Sequence, residues 1–244
     1  MRSTTAARRV SAEPDVLDAI RALVSLIFVV LVPLLLISTS LRALVTDRAL
    51  ILRGFQENRV DLTTGLDEPQ LERIADAFVA YFQAPPGPLQ MQIQVYGQTR
   101  PLFNDREVQH MEDVQALIQL FLRLQLVALA AVVLRVLLAV GLDRSSVPIG
   151  RELLWSAGLV VALVALVGVL SLVDFTELWT RFHQIAFRND LWQLDPTRDY
   201  LIMLFPEPFW YTATIRMALT VALETVGVAV LGVLLAFVAP RLAR

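Results

Sequence analysis

Residues 22–37 read Ala-Leu-Val-Ser-Leu-Ile-Phe-Val-Val-Leu-Val-Pro-Leu-Leu-Leu-Ile, and no charged residue occurs between Arg21 and Arg42. A bilayer core roughly 30 Å thick is crossed by about 20 mainly apolar helical residues, which is the spacing of those two arginines. Lipid offers the backbone no hydrogen-bond partners, so the stretch must be helical. Three further stretches have the same character, giving expected spans at about 18–41, 115–140, 153–173 and 213–239. The mean hydropathy of +0.61 and the 56% hydrophobic content agree. The chain reads as an all-α polytopic membrane protein. A single membrane domain over 1–244 is expected, with a small α(+β) extracytoplasmic part.

Arg2, Arg8 and Arg9, then Arg144 and Arg151, then Arg241 and Arg244 flank alternate span ends. Short basic loops stay on the cytoplasmic side. Both termini are therefore expected on the cytoplasmic side of the membrane, with outer loops at about 43–113 and 174–212. The first run lacks a small-residue cleavage site and reads as a retained anchor.

Absent residues prune the chemistry. There is no Cys, and all 21 basic residues are Arg. Thiolate nucleophiles, Cys-based zinc sites, Schiff-base lysines and phosphate-loop lysines are thereby excluded. A net charge of −2 with no basic stripe gives no reason to expect nucleic acid.

In the first outer loop, residues 46–60 read as a helical extension. Leu71, Ile74, Ala75, Phe78, Val79 and Phe82 then recur at helical steps. Pro85-Pro86-Gly87-Pro88 stops that helix, and 89–95 alternates like a strand. Its partner is not evident, although part of 98–103 is in reach. Asn104 and Glu107 form a capping-box signature, from which a helix runs into the second span. Arg106, His110 and Asp113 share one face of it.

In the second loop, Phe175, Trp179, Phe182 and Ala186 form an apolar stripe, leaving Arg181, His183 and Asn189 towards another surface. Asp195-Pro196 reads as the cap and first residue of a further short helix. Within lipid, Glu224 in the fourth span is expected to pair with Arg123, or alternatively with Arg135, since intramembrane charges seek partners.

His110 and His183 are the two histidines of the chain. Both fall beside the same membrane face. The outer loops hold no Ser, HExxH is missing, and no third ligand cluster accompanies the histidines. General acid–base work by a histidine pair remains, with the substrate supplying its own nucleophile. No metal or cofactor is expected.

The string Phe103-Asn104-Asp105-Arg106-Glu107-Val108-Gln109-His110-Met111-Glu112-Asp113-Val114 resembles a hallmark of the lipoprotein intramolecular transacylases (Lit), four-span bacterial membrane proteins. Phe182-His183-Gln184-Ile185-Ala186-Phe187, Asn189-Asp190-Leu191-Trp192-Gln193-Leu194-Asp195-Pro196 and Leu204-Phe205-Pro206-Glu207 are similar to its second block. The resemblance implies an acyltransferase that moves the sn-2 acyl chain of an S-diacylglyceryl-cysteine to the same residue's α-amine, giving a lyso-form lipoprotein. Its partners would be the lipoprotein substrate and membrane lipid. It further implies His110 as principal base and His183 as its proton-transfer partner. Arg106 would stabilise the oxyanion or orient lipid, and Asp113 would hold His110. Glu107, Arg181, Asn189, Asp190, Trp192 and Asp195 are the supporting candidates. A membrane lipid hydrolase using the same histidines, or a non-enzymatic assembly or sensor protein, are the alternatives.

Overall fold

A computed structural model describes residues 16–95, 97–143 and 145–242. Arg2, Arg8, Arg9, Arg144 and Arg244, which carry part of the orientation argument, lie outside the described residues. Four helices are long and apolar enough to cross a membrane: α1 (Val16–Val45), α5 (Asp105–Leu138), α6 (Val147–Val173) and α9 (Glu207–Val233). Five-residue π-helical stretches continue α5 over Ala139–Asp143 and α9 over Leu234–Val238.

The helices cross closely where side chains are smallest. A Cβ on Gly150 of α6 would lie 2.4 Å from the Ala236 nitrogen, and one on Gly232 would lie 3.0 Å from the Gly150 oxygen. Apolar lipid gives no hydrophobic drive to helix association, so such backbone approach is what holds membrane helices together. At this end of the bundle Phe28, Val32, Ala139, Ile149 and Leu153 form a small core.

At the opposite end, both long connections fold into one cap. The first supplies α2 (Arg48–Glu57), α3 (Val60–Thr64), α4 (Glu68–Gln83) and an antiparallel hairpin of β1 (Gln92–Val95) and β2 (Gln98–Pro101). Ile93 faces Arg100 and Val95 faces Gln98 across the pair. The second supplies α7 (Phe175–Ala186) and α8 (Tyr200–Leu204). Phe55, Ile74, Phe78, Ile93, Leu204 and Phe205 share one core. Phe205 sits 4.7 Å from Phe78 and 5.4 Å from Phe55, ring to ring. Each fully buried ring contributes about 1.5–3 kcal/mol, so this contact joins the two connections. Gln115 fixes the proline turn, donating Nε2 to the Tyr81 carbonyl at 2.7 Å and accepting the Gly87 N–H at 3.2 Å.

Three local expectations are corrected. Residues 46–60 do not extend α1. Asp47 breaks the helix and caps a new one, accepting the Leu50 N–H at 3.0 Å. The regular strand starts at Gln92 rather than residue 89, while Leu89 is buried in the cap core. Asp195-Pro196 opens a turn, not a helix: Asp195 Oδ1 accepts the Thr197 N–H at 2.9 Å and its hydroxyl at 2.7 Å. Asp residues stabilise such turns as readily as helix starts, and α8 begins only after Asp199.

The membrane charges also differ from expectation. Glu224 accepts the Ser40 hydroxyl at 3.1 Å, and Arg123 is exposed on α5. Arg135 pairs instead with Glu152 of α6 at 2.8 Å, both side chains being buried. The sequence orders these groups by depth, but which way each faces around its helix is decided by packing.

Candidate functional site

Helix α5 begins on a complete capping box. Asn104 Oδ1 accepts the Arg106 and Glu107 N–H groups, and Glu107 Oε2 accepts the Asn104 N–H at 2.8 Å. Glu107, 1% exposed, uses its other oxygen to accept the Leu201 N–H at 2.6 Å. One carboxylate therefore joins the first turns of α5 and α8. Asn104 Nδ2 also donates to Asp199 at 2.9 Å. Burial pushes the Glu107 carboxyl up, and its N–H partners pull it back.

This anchoring fixes His110 in the second turn of α5. The helix of 34 residues is about 51 Å long at 1.5 Å per residue, well beyond a hydrocarbon core of roughly 30 Å. Its first turns therefore stand in the cap, with the spanning part starting near Gln115.

Helix α7 is capped by Asp174, which accepts the Glu177 N–H at 2.9 Å. His183 in its last turn was expected on a face away from the aromatic stripe. It instead points inward with Phe175 and Trp179, whereas Phe182 is 41% exposed. The imidazole centroids of His110 and His183 are 6.0 Å apart. Phe187 lies 5.1 Å from His110, while Trp179 and Trp192 lie 4.6 and 5.0 Å from His183. Two imidazoles remote in sequence thus share an aromatic enclosure.

The ring nitrogens differ. His183 Nδ1 is 2.8 Å from the Trp179 carbonyl oxygen. A carbonyl only accepts, so Nδ1 carries the hydrogen and Nε2 keeps its lone pair. His110 Nδ1 is buried and has no hydrogen-bond partner among the described residues. Burial lowers the pKa of His110 from its ordinary 6.5 to about 4; the neighbouring His183 lowers it too, and Asp113 opposes. Burial also lowers His183, with the Trp179 carbonyl working the other way. Burial thus favours the neutral form of both rings.

The remaining candidates divide. Asp113 accepts Asn189 Nδ2 at 2.8 Å, and Trp192 Nε1 donates to the Asn189 carbonyl at 3.0 Å. Arg106 Nη2 donates to the Asp190 carbonyl and lies 3.7 Å from its carboxylate. These contacts hold the segment after α7 against α5, beside the histidines. Arg181 is exposed and pairs with Glu177 at 2.7 Å, so it is not brought to the pair. Asp195 serves its turn, and Glu107 serves the two helix starts.

Trp179 and Phe187 were missed as site residues. The signal for Trp179 was its four-residue spacing from His183, which puts its carbonyl under the ring. Phe187 carried no such signal. Among the described residues no three His, Asp or Glu side chains converge as metal ligands.

A family model for "Lipoprotein intramolecular transacylase Lit" matches residues 26–210. An uncharacterized protein of Aquifex aeolicus (strain VF5) is 24% identical over 199 residues, covering 82% of this chain and 88% of the relative. The fold is similar to the in meso structure of the membrane integral lipoprotein intramolecular transacylase Lit from Bacillus cereus. The TM-score is 0.75 at 16% identity, over 87% of this chain and 94% of that one. A mutant of the same protein gives 0.74 at 16% identity, over 93% and 96%.

Proposed function

The chain belongs to the lipoprotein intramolecular transacylase Lit family, and from that premise we propose that it transfers the sn-2 acyl chain of an N-terminal S-diacylglyceryl-cysteine to that cysteine's α-amine, with His110 and His183 moving the proton. The observation that carries this reading is the approach of the two rings to 6.0 Å inside an aromatic enclosure. In this topology both termini are cytoplasmic and the cap faces outside, where the lipid of a lipoprotein lies in the outer leaflet.

The α-amine has a pKa near 8, so roughly a tenth of it is neutral at pH 7. Its nitrogen attacks the sn-2 carbonyl carbon, and the N–C bond forms as the carbonyl oxygen becomes an oxyanion. His183 Nε2 takes a proton from the nitrogen. The Trp179 carbonyl, hydrogen-bonded to Nδ1, steadies the resulting imidazolium. When the oxyanion collapses, the bond from the acyl carbon to the glycerol oxygen breaks and that oxygen receives the proton. That proton returns from the His183 imidazolium, while a His110 N–H donates a hydrogen bond to the departing oxygen. We take His183 as the base, a reading supported by the Nδ1 hydrogen bond to the Trp179 carbonyl, where the resemblance names His110. Arg106 and Asp113, engaged with Asp190 and Asn189, act by holding the covering segment.

Two physical effects favour amide formation. Nucleophile and ester belong to one molecule, so folding it into a reactive ring replaces a bimolecular encounter. The surrounding Phe187, Trp179 and Trp192 rings limit the water that would otherwise hydrolyse the ester.

The test is mass spectrometry of lipoprotein N-termini in a host lacking the activity. N-acylated lyso-cysteine is the expected product. His110→Ala and His183→Ala should each lower its formation by about 10²–10⁴, the usual loss on removing a proton-transfer group. Free fatty acid as the product would replace this reading by lipid hydrolysis, and unchanged lipoprotein would remove the enzymatic reading. Full activity in either variant would remove that histidine from the mechanism.

A further inference from the structure

At the end of the bundle away from the histidines, a groove of about 950 Å³ opens between α1 and α6. Its size is within the range of pockets that hold small ligands. Leu26, Val29 and Leu159 make its walls apolar, while Ser25, Arg151 and Glu152 give it a polar end. Glu152 and Arg151 lie in the first two turns of α6, about 8 Å or less from the helix start by helical rise. That is headgroup depth, in the leaflet opposite the histidines.

The polar end carries groups of both signs. Glu152 Oε1 accepts the Ser25 hydroxyl at 2.5 Å and Arg135 Nη2 at 2.8 Å. Oε2 of the same side chain, which is 7% exposed, has no hydrogen-bond partner among the described residues. An acceptor withdrawn from water without a donor is costly, and a ligand that donates there removes the cost. Arg151 is exposed beside it and has no ion-pair partner among the described residues.

We infer that this groove is a binding site for a phosphatidylethanolamine-type phospholipid of the leaflet opposite the histidines. The lipid's phosphate meets Arg151, its primary ammonium donates to Glu152, and one acyl chain lies along Leu26, Val29 and Leu159. Phosphatidylcholine shares the phosphate and the chains, but its quaternary ammonium has no N–H to donate. The site therefore distinguishes the two lipids. This inference does not depend on the transacylation reading.

Trp155 lines the groove and is a resident fluorophore. The full chain is placed in phosphatidylglycerol nanodiscs doped with dibrominated phosphatidylethanolamine or dibrominated phosphatidylcholine. Quenching is read as the difference between the chain and its Trp155→Phe variant. The ethanolamine lipid should quench at about tenfold lower mole fraction, the ratio one charge-assisted hydrogen bond supplies at the low end of its range. Glu152→Gln should abolish the preference, and Arg151→Gln should weaken quenching by both lipids. Because Glu152 also pairs with Arg135, Gly158→Leu provides a second variant. A Cβ at Gly158 meets nothing within 4 Å, so the added side chain fills the groove without disturbing the pair and should remove quenching by the doped lipid. Equal quenching by the two lipids, or a preference that survives both Glu152→Gln and Gly158→Leu, overturns the assignment.

Discussion

Replacing Glu107 by Gln keeps the side chain's shape and removes one of its two acceptors. The native carboxylate receives the Asn104 N–H at 2.8 Å and the Leu201 N–H at 2.6 Å, at 1% exposure. A Gln amide offers its oxygen to one of these donors and turns its NH₂ group against the other. Hydrogen bonds to charged groups contribute about 1.5–3 kcal/mol each, neutral ones about 1, and a buried unsatisfied N–H costs about 1–3. Removing the charge also returns part of the desolvation cost that pushes this carboxyl up. The balance is a loss of about 2 kcal/mol, or about 4–8 °C in Tm for a chain of this size. Because Leu201 follows the segment that carries Asp190 and Trp192, transacylation should fall as well. Thermal unfolding by intrinsic fluorescence in detergent, run beside the lipoprotein assay, measures both. A Tm within 1 °C of the parent together with full activity would show that this carboxylate does not fasten the site.

Acid should act on the histidines in a defined direction. Both folded-state values lie below the ordinary 6.5, reaching about 4 for His110, so the unfolded chain binds more protons. Their contribution is complete above about pH 6.5 and is lost as pH falls through the folded values. Tm should therefore drop less steeply between pH 6.5 and 4 in His110→Phe than in the parent, and parallel curves would contradict the buried neutral state. Arg106→Gln frees the segment after α7, so trypsin should cut after the exposed Arg188 faster than in the parent; an unchanged rate would deny Arg106 its fastening role. Gly150→Ala brings a Cβ to 2.4 Å from the Ala236 nitrogen. Such overpacking should cost about 1–3 kcal/mol, read as a lower Tm, and an unaltered Tm would mean that α6 and α9 are not closely crossed.

The spans were legible because the lipid constraint acts on length and polarity, both of which a linear sequence displays between Arg21 and Arg42. The start of α5 was legible because Asn104 and Glu107 recognise each other within one turn. His183 was placed on the wrong side of α7 because a periodicity argument treats imidazole as polar. In this site the two imidazoles pack among aromatic neighbours, out of water. Asp195 was misread because the same carboxylate chemistry closes a turn or opens a helix, and Thr197 decides between them. The pairing of β1 was hidden because β2, Gln98–Pro101, is exposed at every position and shows no alternation. The partners of Glu224 and Arg135 follow from rotations of whole helices, which depth alone does not record.

Helix α5 runs from Asp105 to Leu138 without interruption, so the imidazole of His110 is carried on the same rigid rod that is embedded in lipid. Its height above the acyl esters is then a property of the membrane as well as of the protein. A thicker or thinner bilayer shifts or tilts such a rod at a cost of only fractions of a kcal/mol per ångström of mismatch. Proton transfer, by contrast, needs heavy atoms within about 3 Å. Under the proposed mechanism, lipid chain length is then a lever on turnover that touches no residue of the site.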